Sequence, residues 1–479
     1  MSKKANLQLY KVPFLLVFFS TLGYIYFAYF LERVDTIALI ATYIFLFVLF
    51  YKLIQLTKNN FKFLVVIAVL FRVIFLFSIP NLSQDFYRFI WDGRMLLEGY
   101  NPYLYTPQSF IDEGILPIAQ ARELFNGMGA LSAGHFTNYP PINQLCFVIA
   151  GLFSGKSILG SAIVMRVIII AADLGTLYFG KKLLEKLNLS VNNIFWYVLN
   201  PFIIIELTGN LHFEGVMIFF LIWSLYLLHS GKWKIAALVF ALSISIKLIP
   251  LLFLPLFYQW FTSKRNNDEI LKQSRKLSEQ HDETNKKWIP YFTGITKLIS
   301  FYTIIIIATI VLFMPFFSIE FVQNYTETVG LWFQNFEFNA SIYYIAREIG
   351  YLFRGWNEIA IIGKIIPIVV ILFVLMITFF RKNKNTVALV TAMLLVLSFY
   401  YFTATTVHPW YIATLVILSI FTRYKFPLVW SFVIIFSYLA YANKSNTENL
   451  WIIGLEYLVV YAVVIKEVFF KDKFNLKIS

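Results

Sequence analysis

Apolar runs of about twenty residues recur along the whole chain, and no other feature limits its fold so tightly. They lie at about 12 to 31, 36 to 55, 62 to 80, 158 to 180, 190 to 208 and 213 to 230 in the first half. A helix rising 1.5 Å per residue needs about 20 apolar residues to cross a hydrocarbon core of about 30 Å, so each run reads as a membrane span. The first run follows Met-Ser-Lys-Lys. It is too long for a signal-peptide core and has no small-residue cleavage site, which makes it a retained span. With 59% hydrophobic and 14% charged residues, a water-facing surface is excluded.

The net charge of +14 invites a nucleic-acid reading, but in a lipid-embedded chain the placement of Lys and Arg decides first. Lys3 and Lys4, then Lys52, Lys58 and Lys62, then Lys181, Lys182 and Lys186, then Lys232 and Lys234 fall in alternate connections. The positive-inside rule makes these cytoplasmic and puts residues 81–157 in a large extracytoplasmic loop. We expect no nucleic-acid partner. The single cysteine, Cys146, permits no intrachain disulfide and reads as a small buried apolar residue.

The run from Trp233 to Phe261 would, as one span, export the following loop with its eight Lys or Arg between Lys264 and Lys297. It is therefore expected to cross twice, breaking at Lys247-Leu248-Ile249-Pro250, where proline removes a backbone donor. Lys247 would then face an outer aqueous cavity. Further runs at about 297 to 318, 359 to 380, 386 to 406, 409 to 421, 426 to 442 and 449 to 468 complete an all-α polytopic membrane protein. The expectation is a single domain over 1–479 with about 12 to 14 transmembrane helices and both termini cytoplasmic. Residues 263–296 form a charged cytoplasmic loop and 319–358 a second large extracytoplasmic loop.

The first outer loop opens with Ser83-Gln84-Asp85-Phe86-Tyr87-Arg88-Phe89-Ile90-Trp91-Asp92-Gly93-Arg94 and runs on to Gly99-Tyr100-Asn101-Pro102-Tyr103. Ser83 can cap and Gly99 can stop a helix of about fifteen residues. At 100° per residue Asp85, Arg88 and Asp92 share a face, and the segment reads as an amphipathic interfacial helix. Carboxylates and guanidinium groups beside a membrane suit chemistry on a phosphate-linked substrate, because a carboxylate takes a hydroxyl proton while arginine neutralises phosphate. The plain alternative, weighed equally, is a surface helix with its own ion pairs. Asp85 stands first as a base, and helix N-terminal amides would hold its pKa low.

Asp85-Phe-Tyr-Arg-Phe-Ile-Trp-Asp92-Gly-Arg94 with Gly99-Tyr-Asn-Pro-Tyr103 resembles the first outer loop of GT-C glycosyltransferases, above all bacterial polyprenyl-phosphate-mannose-dependent mannosyltransferases. Asn138-Tyr139-Pro140-Pro141, Asn200-Pro201, Gly209-Asn210-Leu211-His212-Phe213-Glu214-Gly215, Lys247-Leu-Ile-Pro250, Phe338-Asn339-Ala340-Ser341 and His408-Pro409-Trp410-Tyr411 follow in the order of that group's outer motifs. The resemblance implies a GT-C bundle and inverting transfer of a hexose, mannose by this likeness, from a polyprenyl-phosphate donor to a lipid, glycan or protein hydroxyl. Asp85 takes the place of the catalytic base. No cofactor or metal is implied. Two departures stand out: the His-x-Asp-like motif reads His212-Phe213-Glu214, and two extra apolar runs precede the catalytic loop.

Within that frame Arg88, Arg94, Lys247 and His408 are the expected donor-phosphate groups, and Asp92 and Glu214 the second acidic, acceptor-side residues. Tyr87, Trp91, Tyr139, His212, Asn339 and Trp410 are the expected sugar or acceptor contacts. His212 with Glu214 offers too few ligands for zinc. Arg166 and Asp173, seven residues apart in one span, read as a buried ion pair, and Arg72 as a residue reaching toward headgroups. A transporter of lipid-linked sugars is the competing class, but only one broken helix is visible in the sequence, and transporters pair them. An acyltransferase would want a histidine-centred site, and the histidines are scattered.

Overall fold

The computed structural model describes residues 3–58, 60–263, 288–334, 336–442 and 447–470. The expected charged loop 263–296 falls largely outside them. Helix is the only regular secondary structure among the described residues, apart from one isolated β-bridge, and the protein is an all-α polytopic membrane protein. The first two long helices are α1 (Lys3–Tyr29) and α2 (Thr36–Thr57), followed by α3 (Phe61–Ile74). Next come the loop helices α4 (Asp85–Leu97), α5 (Pro107–Asp112), α6 (Ala121–Ala133) and α7 (Pro141–Ser154). A long helix α8 (Ile158–Lys186) leads into two short pieces, α9 (Phe195–Val198) and α10 (Pro201–Ile203), and then α11 (Glu214–His229). The chain continues through α12 (Trp233–Ile244), a 3-10 segment (Ile249–Leu256) and α13 (Phe257–Thr262). The second half holds α14 (Trp288–Phe313), α15 (Ile319–Gln334), α16 (Ile342–Arg354), α17 (Ile359–Phe380), α18 (Thr386–Thr403), α19 (Ile412–Ser419), α20 (Phe426–Val433) and α21 (Leu450–Phe469).

Among the described residues six helices are long and apolar enough to cross a bilayer unaided, and a seventh span is added if one bent pair is counted. That is fewer than the 12 to 14 expected, because several apolar runs fold as shorter pieces. The run 62 to 80 is helical only to Ile74. The run 190 to 208 breaks into α9, α10 and a π-helical turn at Ile204–Gly209, and meets α11 at a bend of 114°. Asn200-Pro201 explains one break, since proline fits the first turn and the Asn200 side chain caps the Phe202 N–H. A second broken element is therefore present beyond the one legible in the sequence.

Residues 233–261, read from the sequence as two crossings, fold as a hairpin. Helix α12 stops at Ile244, and Trp233 meets Phe261 at 6.5 Å while Phe240 meets Phe257 at 5.4 Å, so the chain doubles back on itself. The reversal falls on Ser245–Leu248, beside Lys247.

Loop helix α4 is not interfacial. Nine of its thirteen residues are buried, Trp91 and Asp92 among them, and it packs on α6 and α7. Gly93 makes this approach possible: a Cβ there would stand 2.3 Å from the Phe147 carbonyl oxygen. Phe89 and Phe147 stack at 4.7 Å in the same interface. The ion pairs in the bundle also differ from expectation. Asp173 pairs at 2.7 Å with buried Arg72, not with Arg166. Arg166 instead donates to the carbonyls of Thr208, Gly209, Leu76 and Ser78, holding the π-turn against the end of α3. Neither arginine reaches a lipid surface; both hold broken backbone inside the bundle, where unpaired carbonyls would be costly.

Candidate functional site

Asp85 is the first residue of α4, and its N–H is held by the Ser83 hydroxyl at 3.3 Å. Its carboxyl lies half-buried where four chain segments converge. Burial raises its pKa to about 6; Lys247 and Arg33 pull it down and Glu214 pushes it up. The expectation of a low value is thus overturned: loss of water outweighs the helix amides.

Lys247 arrives from the hairpin tip. The Ser245 carbonyl accepts the N–H groups of Ile142 and Asn143 at 3.0 and 3.3 Å, which fastens the tip to the start of α7. Tyr139, just before α7, consequently lies under the Lys247 ammonium at 5.0 Å. Tyr139 is itself fixed from below, because Tyr103 donates to its carbonyl at 2.5 Å. The ammonium also pairs with Glu214 Oε1 at 3.1 Å. Glu214 opens α11, and its second oxygen is buried with no hydrogen-bond partner among the described residues.

The turn before α11 carries the backbone strain of the site. Leu211 has φ 62°, a left-handed conformation that a leucine adopts only when its surroundings impose it. Next to it, His212 is buried, stacks on Trp410 at 3.7 Å, and lies 3.7 Å from Glu206. Glu206 accepts from Tyr438 at 2.8 Å and from Asn210 at 3.4 Å, so it belongs to the wall behind His212. Trp410 stacks in turn on His408 at 4.6 Å, and His408 on Phe338 at 5.1 Å. Burial and the nearby Lys247 charge lower the His408 pKa to about 3. It is therefore neutral at physiological pH and does not supply the positive charge expected of it.

Arg33 was not singled out by sequence reasoning. It sits between α1 and α2, donates to the Leu82 carbonyl at 3.1 Å and lies 4.0 Å over the Tyr441 ring. Its one sequence signal is a cation just beyond the outer end of the first apolar run, a position that snorkelling also explains.

Several expected residues lie in the surrounding framework. Arg88 is buried and bonded to Asp92 at 2.7 Å and to the carbonyls of Ser132 and His135. Gln144 donates to the other Asp92 oxygen at 3.1 Å, so the Arg88–Asp92 pair knits α4 to α6 and α7. Arg94 donates to Ala119 and Gln120. Trp91 is 1% exposed and offers no face to a sugar. Tyr87 packs on Phe86 and against Gly127 of α6. Asn339 is fully buried, with its N–H donating to Glu448, its side chain to Glu456, and its carbonyl accepting from Tyr457. These bonds make Arg88, Arg94, Asp92 and Asn339 supports of the site's walls, and Trp91 and Tyr87 join them by packing.

An apolar cavity of about 260 Å³ opens beside the charges. It begins at Leu248 and Ile249, immediately after Lys247, passes Ile366, Val370 and Tyr400, and ends at Thr405 and Thr406, close to His408 in sequence. Among the described residues no three His, Cys, Asp or Glu side chains converge to hold a metal.

Two cations act on the Asp85 carboxyl, and an apolar cavity begins at the residue after one of them. Residues 15–263 match the N-terminal domain of the alpha-(1->6)-mannopyranosyltransferase family, MptA_B, over more than half of the chain. The chain belongs to that family. No curated protein matches it. As a member of a mannosyltransferase family it is a membrane glycosyltransferase with mannosyl-transfer activity. The matched span includes Arg33, Asp85, Glu214 and Lys247, while His408 and Trp410 lie beyond it.

Proposed function

We propose that this mannosyltransferase takes mannose from a polyprenyl-phosphate donor and passes it, with inversion, to a hydroxyl of a lipid, glycan or protein acceptor, using Asp85 as general base. The observation that carries the reading is the meeting of Asp85 with the charges of Lys247, Glu214 and Arg33, with an apolar cavity starting at Leu248, the residue after Lys247. The acceptor oxygen attacks the anomeric carbon, the bond from that carbon to the phosphate oxygen breaks, and Asp85 receives the acceptor proton. Such proton transfer is worth about 10² to 10⁴ in rate. Lys247 and Arg33 neutralise the departing phosphate, and the cavity beyond Leu248 takes the first isoprenoid units. The free oxygen of Glu214 accepts a hydrogen bond from a sugar or acceptor hydroxyl, and Tyr139 offers a ring face, whereas Trp410, expected as a sugar contact, has its faces taken by His212 and His408. The reading needs no metal or other cofactor. It places the reaction on the extracytoplasmic side of the cell membrane with both termini inside, in keeping with the lysine pattern. The family's description supports an α-1,6 linkage.

The test is transfer by purified protein in bilayers, comparing polyprenyl-phosphate-mannose with a nucleotide-mannose. Turnover with the lipid donor alone, lost in Asp85→Asn and partly kept in Asp85→Glu, is the expected result. Near wild-type turnover in folded Asp85→Asn removes Asp85 as the base, and exclusive use of the nucleotide donor overturns the donor assignment.

A further inference from the structure

Helix α16 has two unlike faces. Ile342, Ile345, Ile349, Leu352 and Phe353 fall within about 100° of arc at 100° per residue. All five are exposed, Leu352 and Phe353 at 84% and 85%. The opposite face is bonded to protein. Tyr343 donates to Glu337 and Tyr344 to Glu448, while Arg347 pairs with Glu337 at 2.6 Å and lies 4.4 Å over the Tyr344 ring. Rotation to bury the apolar face would break all of these, so the face has to be covered from outside.

The neighbouring helix indicates the covering medium. After Gly355, left-handed at φ 80°, the chain enters α17. That helix is one of the six able to span a bilayer, and it exposes Ile361, Ile365 and Ile368 in its first turns. The apolar face of α16 is thus continuous with a surface whose solvent is lipid. Trp356, 60% exposed, marks the junction, the level at which tryptophan concentrates in membranes. Arg354 and exposed Lys364 lie within a few residues and can reach phosphates.

We propose that α16 lies along the bilayer surface with Ile345, Ile349, Leu352 and Phe353 in the acyl-chain boundary of the leaflet at the Asp85 end. Its bonded face leads to the site. Glu448, bonded to Tyr344, also holds the Asn339 N–H, and Phe338 forms the β-bridge with Thr406, beside His408. A lipid-seated helix therefore anchors the Phe338–Asn339 segment that backs the ring stack.

The test is a single reporter cysteine at Phe353 in a Cys146→Ala background, labelled with an environment-sensitive fluorophore and placed in nanodiscs whose lipids carry a nitroxide near the top of the acyl chain. Quenching severalfold stronger than at Glu348→Cys on the flank of the same helix is expected. Ile345→Cys should match Phe353→Cys and serves if the first variant folds poorly. Equal, weak quenching at all three positions overturns the proposal, as does protection of the label without quenching, the signature of a protein partner. The readout involves no transfer, so it stands apart from the donor and base assignments.

Discussion

Lys247 Nζ lies 3.1 Å from one Glu214 oxygen, while the other Glu214 oxygen is buried without a partner among the described residues. The pair joins the hairpin tip to the start of α11, and it leaves one acceptor directed at whatever enters the site. Lys247→Met is expected to lower transfer about 10² to 10³-fold, the range for removing one preorganised charge-stabilising group. It should also destabilise the protein, because buried Glu214 loses the partner of its ion pair. Lys247→Met with Glu214→Gln should regain thermal stability but not activity. Recovery of activity in the double variant would show that the pair is structural only.

The pH profile depends on the charges around Asp85. A base must be ionised, so with a pKa of about 6 the transfer rate should rise tenfold per unit below pH 6 and level off above it. Glu214 raises that pKa and Arg33 and Lys247 lower it. Glu214→Gln is accordingly expected to move the acidic limb to lower pH and Arg33→Gln to higher pH, measured as kcat/KM. Shifts of the same sign would contradict the assignment.

The same shift predicts a stability effect. The folded carboxyl binds its proton more tightly than the unfolded one, whose pKa is near 3.8, so ionisation costs stability as pH rises from about 4 to about 6. Asp85→Asn removes that cost. Its Tm relative to wild type should therefore increase between pH 4 and pH 7, the reverse of what loss of a structural salt bridge would give.

Arg72 and Asp173 form a buried pair at 2.7 Å. Removing one partner is expected to cost about 3 to 5 kcal/mol, since the other charge stays buried. Asp173→Leu with Arg72→Met should recover most of it in a chemical-denaturation or thermal-aggregation assay. Substituting Arg166 with Asp173 should give no such recovery, because those two do not pair.

Trp410 stands between His212 and His408, with both rings nearly parallel to it. Trp410→Ala is expected to reduce kcat at least tenfold by releasing both histidines, and Trp410→Phe to retain most of it. A chelator should leave wild-type transfer unchanged, and a strict divalent-metal requirement would contradict the proposed chemistry.

Much of this was legible in the sequence because bilayer thickness and Lys placement act on local stretches of chain. The apolar runs and the break at Lys247 arise from such patterns, whereas the grouping of Asp85 with Glu214 and Lys247 comes from the family resemblance. Partner choice inside the bundle was not legible. Arg166 and Asp173 share a helix face, but α3 brings Arg72 closer, and no periodicity carries that information. Arg88 and Trp91 occupy a motif that reads as a site, yet α4 turns them inward against α6 and α7. The contribution of Arg33 depends on α1 and α2 meeting the loop after α3, a contact some fifty residues away in sequence.

The hairpin through Lys247 has a consequence for biogenesis. Its first limb, α12, has 12 residues and reaches about 18 Å, well short of a hydrocarbon core of about 30 Å. Neither limb can be handed to the bilayer as an independent unit, so both must enter together, packed on α11 and on Phe301 of α14. A nascent chain halted before α14 would carry Asp85 and Arg33 with the Lys247 hairpin not yet packed on Phe301.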